Sequence, residues 1–175
     1  MQEDGVVGRG LISRATKGDA WALARLYDEY AGTLHAVAYR ITTCPSDADD
    51  VVHDLFAGLP RALGTYQGRG SLGGWLKRCT VRLALMRLRK VRREVRFDPS
   101  AHAAADSRAR DPTVGAALTH ALKRLPPDLR AVVVLKDVEG YSHTEIGELL
   151  DISAGNSAVR LHRARRQLRN LLRDS

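Results

Sequence analysis

Residues 141–166, Tyr141-Ser-His-Thr-Glu-Ile-Gly-Glu-Leu-Leu-Asp-Ile-Ser-Ala-Gly-Asn-Ser-Ala-Val-Arg-Leu-His-Arg-Ala-Arg-Arg166, decide how this chain is read. Ser142 stands where it can cap a helix. Glu145, three residues on, can return a bond to the cap's own N–H, and Ile146, Leu149 and Leu150 supply an inward face. The spacing predicts a helix starting near His143. After a brief break at Asp151-Ile152, Ser153 offers a second cap, and Leu161, Ala164, Leu168 and Leu171 recur at helical spacing. Two capped helices across so short a turn form a helix-turn-helix pattern, in which the exposed start of the second helix enters the major groove. That surface would present Asn156, Val159, Arg160 and Arg163. The residue types suit the task, since Arg bonds guanine at two atoms, Asn does the same with adenine, and Val meets a thymine methyl. The alternative is a cationic helix hairpin with a solvated outer face.

Composition narrows the classes. The chain has 175 residues, 44% of them hydrophobic, enough for helical cores and for one domain or two small ones. Lys and Arg number 28 against 20 Asp and Glu, a formal charge of +8, which favours a polyanionic partner, nucleic acid ahead of an anionic membrane surface. No apolar run approaches the roughly 20 residues that a spanning helix needs, and the N-terminus lacks the basic-then-apolar pattern of a signal peptide, so a cytoplasmic protein without membrane insertion is expected. Cys44 and Cys79 have no neighbouring Cys or His at metal-ligand spacing and read as free buried thiols rather than a zinc site or a disulfide.

Outward from the helix-turn-helix, helical periodicity covers most of the chain. Residues 1–17 are glycine-rich and weakly patterned and are expected to be a flexible lead-in. Leu23, Leu26, Tyr27, Tyr30, Leu34, Val37, Ala38 and Ile41 mark a long amphipathic helix from about Asp19. Ser46 with Asp49 reads as the cap of a second helix, whose stripe is Val51, Val52, Leu55, Phe56 and Leu59 and whose opposite face is acidic. Gly64 to Gly74 holds too many glycines for a helix and is expected to be a loop. Trp75, Leu76, Cys79, Leu83 and Met86 define the stripe of a third helix whose other positions are strongly basic. From Glu94 to Asp111 the periodicity vanishes into a linker composition. Asp111-Pro112 starts another helix with Val114, Leu118, Leu122 and Leu125, Pro126-Pro127 stops it, and Leu129, Val132, Val133 and Lys136 carry the next to Gly140. The expected fold class is all-α, two small helical domains joined by a flexible linker, the C-terminal one containing the helix-turn-helix. The boundaries are 1–17 for the lead-in, 18–93 for the first domain, 94–111 for the linker and 112–175 for the second.

With both halves in view, the chain resembles a bacterial sigma factor of the extracytoplasmic-function (ECF) class of the sigma-70 family, which consists of regions 2 and 4 joined by a linker. The resemblance rests on Ala48-Asp-Asp-Val-Val-His-Asp-Leu-Phe56, on Trp75-Leu-Lys-Arg-Cys-Thr-Val-Arg-Leu-Ala-Leu-Met-Arg-Leu-Arg89, on Leu125-Pro-Pro-Asp-Leu-Arg-Ala-Val132, on Glu145-Ile-Gly147 and on Arg160-Leu-His-Arg-Ala-Arg165. It implies a subunit that binds core RNA polymerase, directs it to specific promoters and assists promoter melting for transcription initiation, with no chemistry of its own. Positions matching the polymerase dock are Asp50, His53 and Asp54, with His53 replacing the usual Gln. The loop and basic third helix match the surface that holds the minus-ten element as a single strand, here Tyr66, Lys77, Arg78, Arg82 and Arg89, with Arg82 in place of an Asn and Met86 in place of an Asp. Glycines let the backbone approach a splayed base, Tyr66 can stack on one, and arginines follow phosphates. Trp75 reads as core, the alternative being a wedge at the duplex junction. Region 4 would read the minus-thirty-five element through Asn156, Val159, Arg160 and Arg163, where Asn156-Ser-Ala-Val159 departs from the commoner Thr-Val-Lys-Ser. An anti-sigma factor masking both domains is a further implied partner, and the free factor is expected to be a monomer.

The main rival is a free-standing helix-turn-helix transcriptional regulator that does not bind core polymerase. The acidic face of Asp50, His53 and Asp54 argues against it, because such a regulator has no need of that face. An enzyme is a distant third. The six histidines are scattered and no catalytic triad, carboxylate pair or phosphate-binding loop forms a recognisable motif, so no cofactor and no metal are expected.

Overall fold

The computed structural model describes residues 4–97 and 114–173, and among these every regular element is helical. In chain order the helices are α1 (Asp4–Thr16), α2 (Ala20–Thr42), α3 (Pro45–Leu63), α4 (Leu72–Phe97), α5 (Val114–Arg124), α6 (Pro127–Val133), α7 (His143–Leu150) and α8 (Ala154–Arg173), with a π-helical segment at Val134–Val138 continuing α6. None of them is long and apolar enough to cross a membrane.

Asp19 caps α2 as its position predicts, its Oδ1 accepting the Ala22 N–H at 2.9 Å. The same carboxylate takes the Arg14 guanidinium at 2.9 Å, and these two donors, the backbone one foremost, hold it below the usual carboxylate range. Arg14 thereby ties α1 to the start of α2. The expected flexible lead-in is corrected here, because Asp4–Thr16 is helical, with Ala15 fully buried and Leu11 and Ile12 packed beside it. What decides this is docking on α2 and α3, where a short apolar face suffices although the helix-weakening glycines mask its periodicity.

Three further boundaries move. The cap of α3 is Cys44 rather than Ser46, since Pro45 takes the first helical position, where its missing N–H costs nothing. The glycine loop stops at Ser71, and Gly73 and Gly74 lie inside α4. At Gly73 a Cβ would sit 3.1 Å from the Tyr30 ring, a tight approach of α4 to α2 that glycine accommodates without displacing the ring. At its far end α4 runs on to Phe97, taking in the first residues assigned to the linker, and the rest of that segment and the Asp111-Pro112 start fall outside the described residues. Met86 leaves the inward stripe and is 61% exposed, and Leu118 is exposed as well.

Two buried clusters hold the molecule. One lies within α1 to α4, around Leu26, Leu34, Leu55, Leu59 and Leu76. The other begins with Val37, Ala38 and Ile41 on α2 and Val81 and Leu85 on α4 and continues without a break into Leu122, Leu125, Val132, Leu135, Ile146 and Leu161. The two helical units therefore share apolar interior. Arg87 staples α3 to α4, its Nε donating to Asp47 and its Nη2 to Asp50, both at 2.8 Å. Asp47 is buried, and this pairing is what makes its burial tolerable.

Ala15→Asp places a carboxylate in the sealed contact of α1 and is expected to lower the unfolding free energy by about 3 kcal/mol. Urea denaturation reads it, and an unchanged midpoint would return residues 4–16 to a loose lead-in.

Candidate nucleic-acid interface

The surface of α8 predicted to read DNA is built from its cap outward. Ser142 and Glu145 form the predicted reciprocal box at the start of α7, with the Glu145 N–H on Ser142 Oγ at 3.2 Å and the Ser142 N–H on Glu145 Oε2 at 2.8 Å. These donors, the Ser142 backbone first, keep the Glu145 carboxyl below its ordinary range. Asp151 turns the chain in the left-handed region at φ 57, and Ser153 Oγ then accepts the Asn156 N–H at 3.0 Å to start α8. The turn is sharp enough that a Cβ on Gly147 would stand 2.6 Å from the Ile152 carbonyl oxygen. Across the same junction, His143 Nδ1 meets Ser157 Oγ at 2.9 Å, and Ser157 is fully buried. Glycine at 147 and the His143–Ser157 bond together set the angle at which α8 leaves the domain.

On α8, Ser157, Leu161, Ala164 and Leu168 face inward. Asn156, Val159 and Arg163 are exposed on the opposite side, where positions three and four apart share a face. Arg160 stands among them but is less free, its Nε donating to Asn156 Oδ1 at 3.2 Å and its guanidinium lying 4.0 Å from Asp128. Arg165 is spoken for by Asp137, with Nε on Oδ2 at 3.0 Å, so it supports the domain instead of facing a ligand.

The predicted single-strand surface on α4 is partly engaged. Arg78 and Arg82 are exposed, Lys77 lies 3.8 Å from Glu139, and Arg89 donates from Nη2 to the Leu149 carbonyl at 2.9 Å. Tyr66 is anchored in the preceding loop, its hydroxyl donating to the Gly70 carbonyl at 2.9 Å and its ring centroid 5.4 Å from that of Trp75. Trp75 itself packs against the α1–α4 cluster, as the core reading expects. Gly68 and Gly70 both take positive φ, which only a glycine-rich loop accommodates without strain.

On α3, Asp50, His53 and Asp54 are all exposed, one helical turn apart. Asp50 is paired with Arg87 at 2.8 Å, whereas Asp54 has no ion pair among the described residues. Elsewhere, burial pushes the Cys79 thiol up, away from a reactive thiolate, and Cys44 Sγ lies 3.2 Å from Ser46 Oγ.

Three acidic or basic groups that the sequence pattern did not single out cluster between the two units. Arg130 is 4% exposed, and its Nε donates to the Ile41 carbonyl at the end of α2 at 3.0 Å. Its Nη1 reaches the Leu122 and Leu125 carbonyls at 3.5 Å, and burial pulls the guanidinium down to about 10. Glu139 has a carboxylate only 6% exposed, 3.5 Å from Arg40 and 3.8 Å from Lys77. Asp128 is bonded to Arg92 of α4. A local signal existed only for Asp128, in the first turn of α6; the others depend on contacts across about 60 to 100 residues of sequence, which no short-range pattern contains.

The family profile described as Sigma-70 region 2 matches residues 26–94, and the one described as Sigma-70, region 4 matches residues 115–168. The ECF RNA polymerase sigma factor SigM of Mycobacterium tuberculosis is 31% identical over 167 residues, covering 93% of this chain and 83% of that protein. The chain belongs to the ECF class of sigma-70 factors. The ECF RNA polymerase sigma factor SigE of Mycolicibacterium smegmatis is 35% identical over 156 residues, 84% of this chain, but the chain spans only 60% of that relative's length. Among solved structures, the sigma factor RpoE of Bartonella quintana, in complex with the anti-sigma factor NepR, superposes with a TM-score of 0.63 over 86% of this chain and 96% of its own, at 21% identity, a likeness of fold. The protein is thus a sigma factor, not an enzyme and not a free-standing regulator.

Gly147→Ala is expected to cost about 1 to 3 kcal/mol, the usual penalty for forcing an atom into packed backbone. Thermal unfolding checks it; a variant as stable as the parent would mean that the turn is looser than a 2.6 Å approach allows.

Proposed function

We propose that this sigma factor binds core RNA polymerase through the acidic face of α3, carries it to two-part promoters, and helps open the duplex, working in the cytoplasm where polymerase and DNA meet. The observation that carries the reading is the exposure of Asp50, His53 and Asp54 on α3, with Asp50 tied to α4 through Arg87 and the cations of α4 lying alongside. An acidic helix face suits a basic partner surface, where charge complementarity fixes register and speeds encounter. Because Asp50 already serves Arg87, Asp54 is the carboxylate best placed to meet that partner.

In this reading the minus-ten strand lies over Tyr66, Lys77, Arg78, Arg82 and Arg89. The Tyr66 ring, already seated near Trp75, offers a stacking platform, and the arginines take phosphates. The minus-thirty-five duplex meets Asn156, Val159, Arg160 and Arg163. Phosphate contacts set affinity and salt dependence, and the base-edge contacts of α8 set sequence preference. An anti-sigma factor is the regulatory partner this reading favours, and the free factor is a monomer.

Run-off transcription from a genomic promoter library with purified core polymerase tests the proposal, and initiation that depends on the protein at a shared two-part element is the expected result. Asp54→Arg should abolish co-purification with core polymerase while helical content stays unchanged; undiminished binding would remove α3 as the dock. Arg160→Ala should relax selection at one base pair of the upstream element by about 1 to 3 kcal/mol if it reads a guanine. Sequencing of the initiated transcripts reads that preference, and an unaltered element would strike Arg160 from the readers.

A further inference from the structure

We propose that Asp128 is a positioning residue for promoter recognition, its carboxylate aiming the guanidinium of Arg160 at the base pair that Arg160 reads. The inference rests on the preceding assignment of Arg160 to the upstream element. Asp128 itself lies on α6, outside the recognition helix.

Arg160 is held from two sides within region 4. Its Nε donates to Asn156 Oδ1 at 3.2 Å, one turn back on α8, and its Nη1 lies 4.0 Å from Asp128 Oδ2 on α6. A guanidinium carries its five N–H donors in one rigid plane, so a contact on one edge sets an axis and a contact on a second edge sets the plane. With Nε turned to Asn156 and Nη1 to Asp128, the fork that remains for a base edge is the terminal one, made by Nη2 and the outer N–H of Nη1. Only 27% of the Arg160 side chain is exposed, which leaves its stem little room to sweep across a groove in search of other contacts.

Asp128 is well placed to give that direction, because it is anchored itself. It follows Pro126 and Pro127, whose fixed φ sets the start of α6, and two residues later Arg130 is sealed on the Ile41, Leu122 and Leu125 carbonyls. Helix α6 packs along α8, with Ala131, Val132, Leu161 and Ala164 in one buried cluster. The two carboxylate oxygens divide their work, Oδ1 taking Arg92 of α4 and Oδ2 facing Arg160. A carboxylate in a first helical turn also suits the helix dipole, but that role sets stability and gives no reason for Oδ2 to face α8. An ion pair this exposed adds little to folding. It needs only a small energy, however, to choose among the staggered rotamers of one side chain, and that choice decides which base edge meets the donors.

Run-off transcription from promoters randomised in the upstream element, read by sequencing, tests the proposal with holoenzyme assembled from core polymerase and the full-length factor. Arg160→Ala marks the base pair concerned. At that pair Asp128→Asn, which keeps the shape and removes the charge, is expected to lower discrimination about threefold, the order of effect a part-exposed ion pair supplies, with preference at every other pair unchanged. In an Arg160→Ala background the same substitution should relax nothing further, because no guanidinium is left to aim. A merely structural Asp128 would lower total initiation or the melting temperature and leave preference as it was, and that result overturns the proposal. So does an equal loss of preference at the same pair in Arg92→Ala, which would trace the effect to the bond with α4. Circular dichroism checks the fold; if Asp128→Asn loses helix, Asp128→Ser takes its place under the same outcomes. The two readings fail in different ways. Unchanged preference in Arg160→Ala removes the base contact and the aiming with it, whereas a change in Arg160→Ala without one in Asp128→Asn removes the aiming alone.

Discussion

The apolar cluster that passes from α2 and α4 into α5 to α8 is the constraint on which the rest of the molecule depends. It fixes where the basic face of α4 lies relative to the helix-turn-helix, and Arg130 seals it by turning a guanidinium onto helix-end carbonyls from both units. Carbonyls at the C-terminal end of α2 carry the negative end of that helix's dipole, so they are suited to hold a cation in an otherwise apolar seam. Neither unit satisfies Arg130 in this way alone, because one acceptor is contributed by α2 and the others by the end of α5.

Within region 4, local chemistry sets the shape. The reciprocal Ser142–Glu145 box starts α7, glycine at 147 lets the chain double back, and the buried His143–Ser157 bond pins α7 to α8. The π-helical segment Val134–Val138 feeds into this. Its wider turn, closed by the Glu139 N–H on the Val134 carbonyl at 3.0 Å, turns Asp137 toward Arg165 and Glu139 toward α4. One irregular turn therefore serves both the interior of the domain and its outer boundary.

Much of this was legible in the sequence because it is governed by neighbours three or four residues apart. The helices from Asp19 onward, the stop at Pro126-Pro127, the two caps of the helix-turn-helix and the inward Leu161, Ala164 and Leu168 all follow from spacing. The misses have a common cause. Residues 4–16 are weak as an isolated helix and fold because α2 and α3 offer a surface, and Gly73 lies within α4 packed close to the Tyr30 ring, a contact from a distant helix. Met86 matches the predicted stripe yet points to solvent, because the inward face of α4 runs through Leu76, Thr80, Val81, Ala84 and Leu85 instead. Of the candidate site, the exposure of Asn156, Val159, Arg163, His53 and Asp54 agrees with the pattern. The internal engagement of Asp50, Lys77 and Arg89 does not, because each partner comes from a different part of the chain, and Arg160 adds a distant neighbour, Asp128, to its local bond with Asn156.

The bond between Arg160 Nε and Asn156 Oδ1 reaches beyond this one molecule. Under the proposed assignment, two side chains that orient each other before meeting DNA cannot be altered one at a time without disturbing the survivor, so their effects on base preference would be non-additive. Related factors that diverge in target would then tend to change both positions together. On that assignment, a table giving one base to one residue would misread such a pair, and the contact between the two side chains, rather than either amino acid, would be the unit in which promoter preference is inherited.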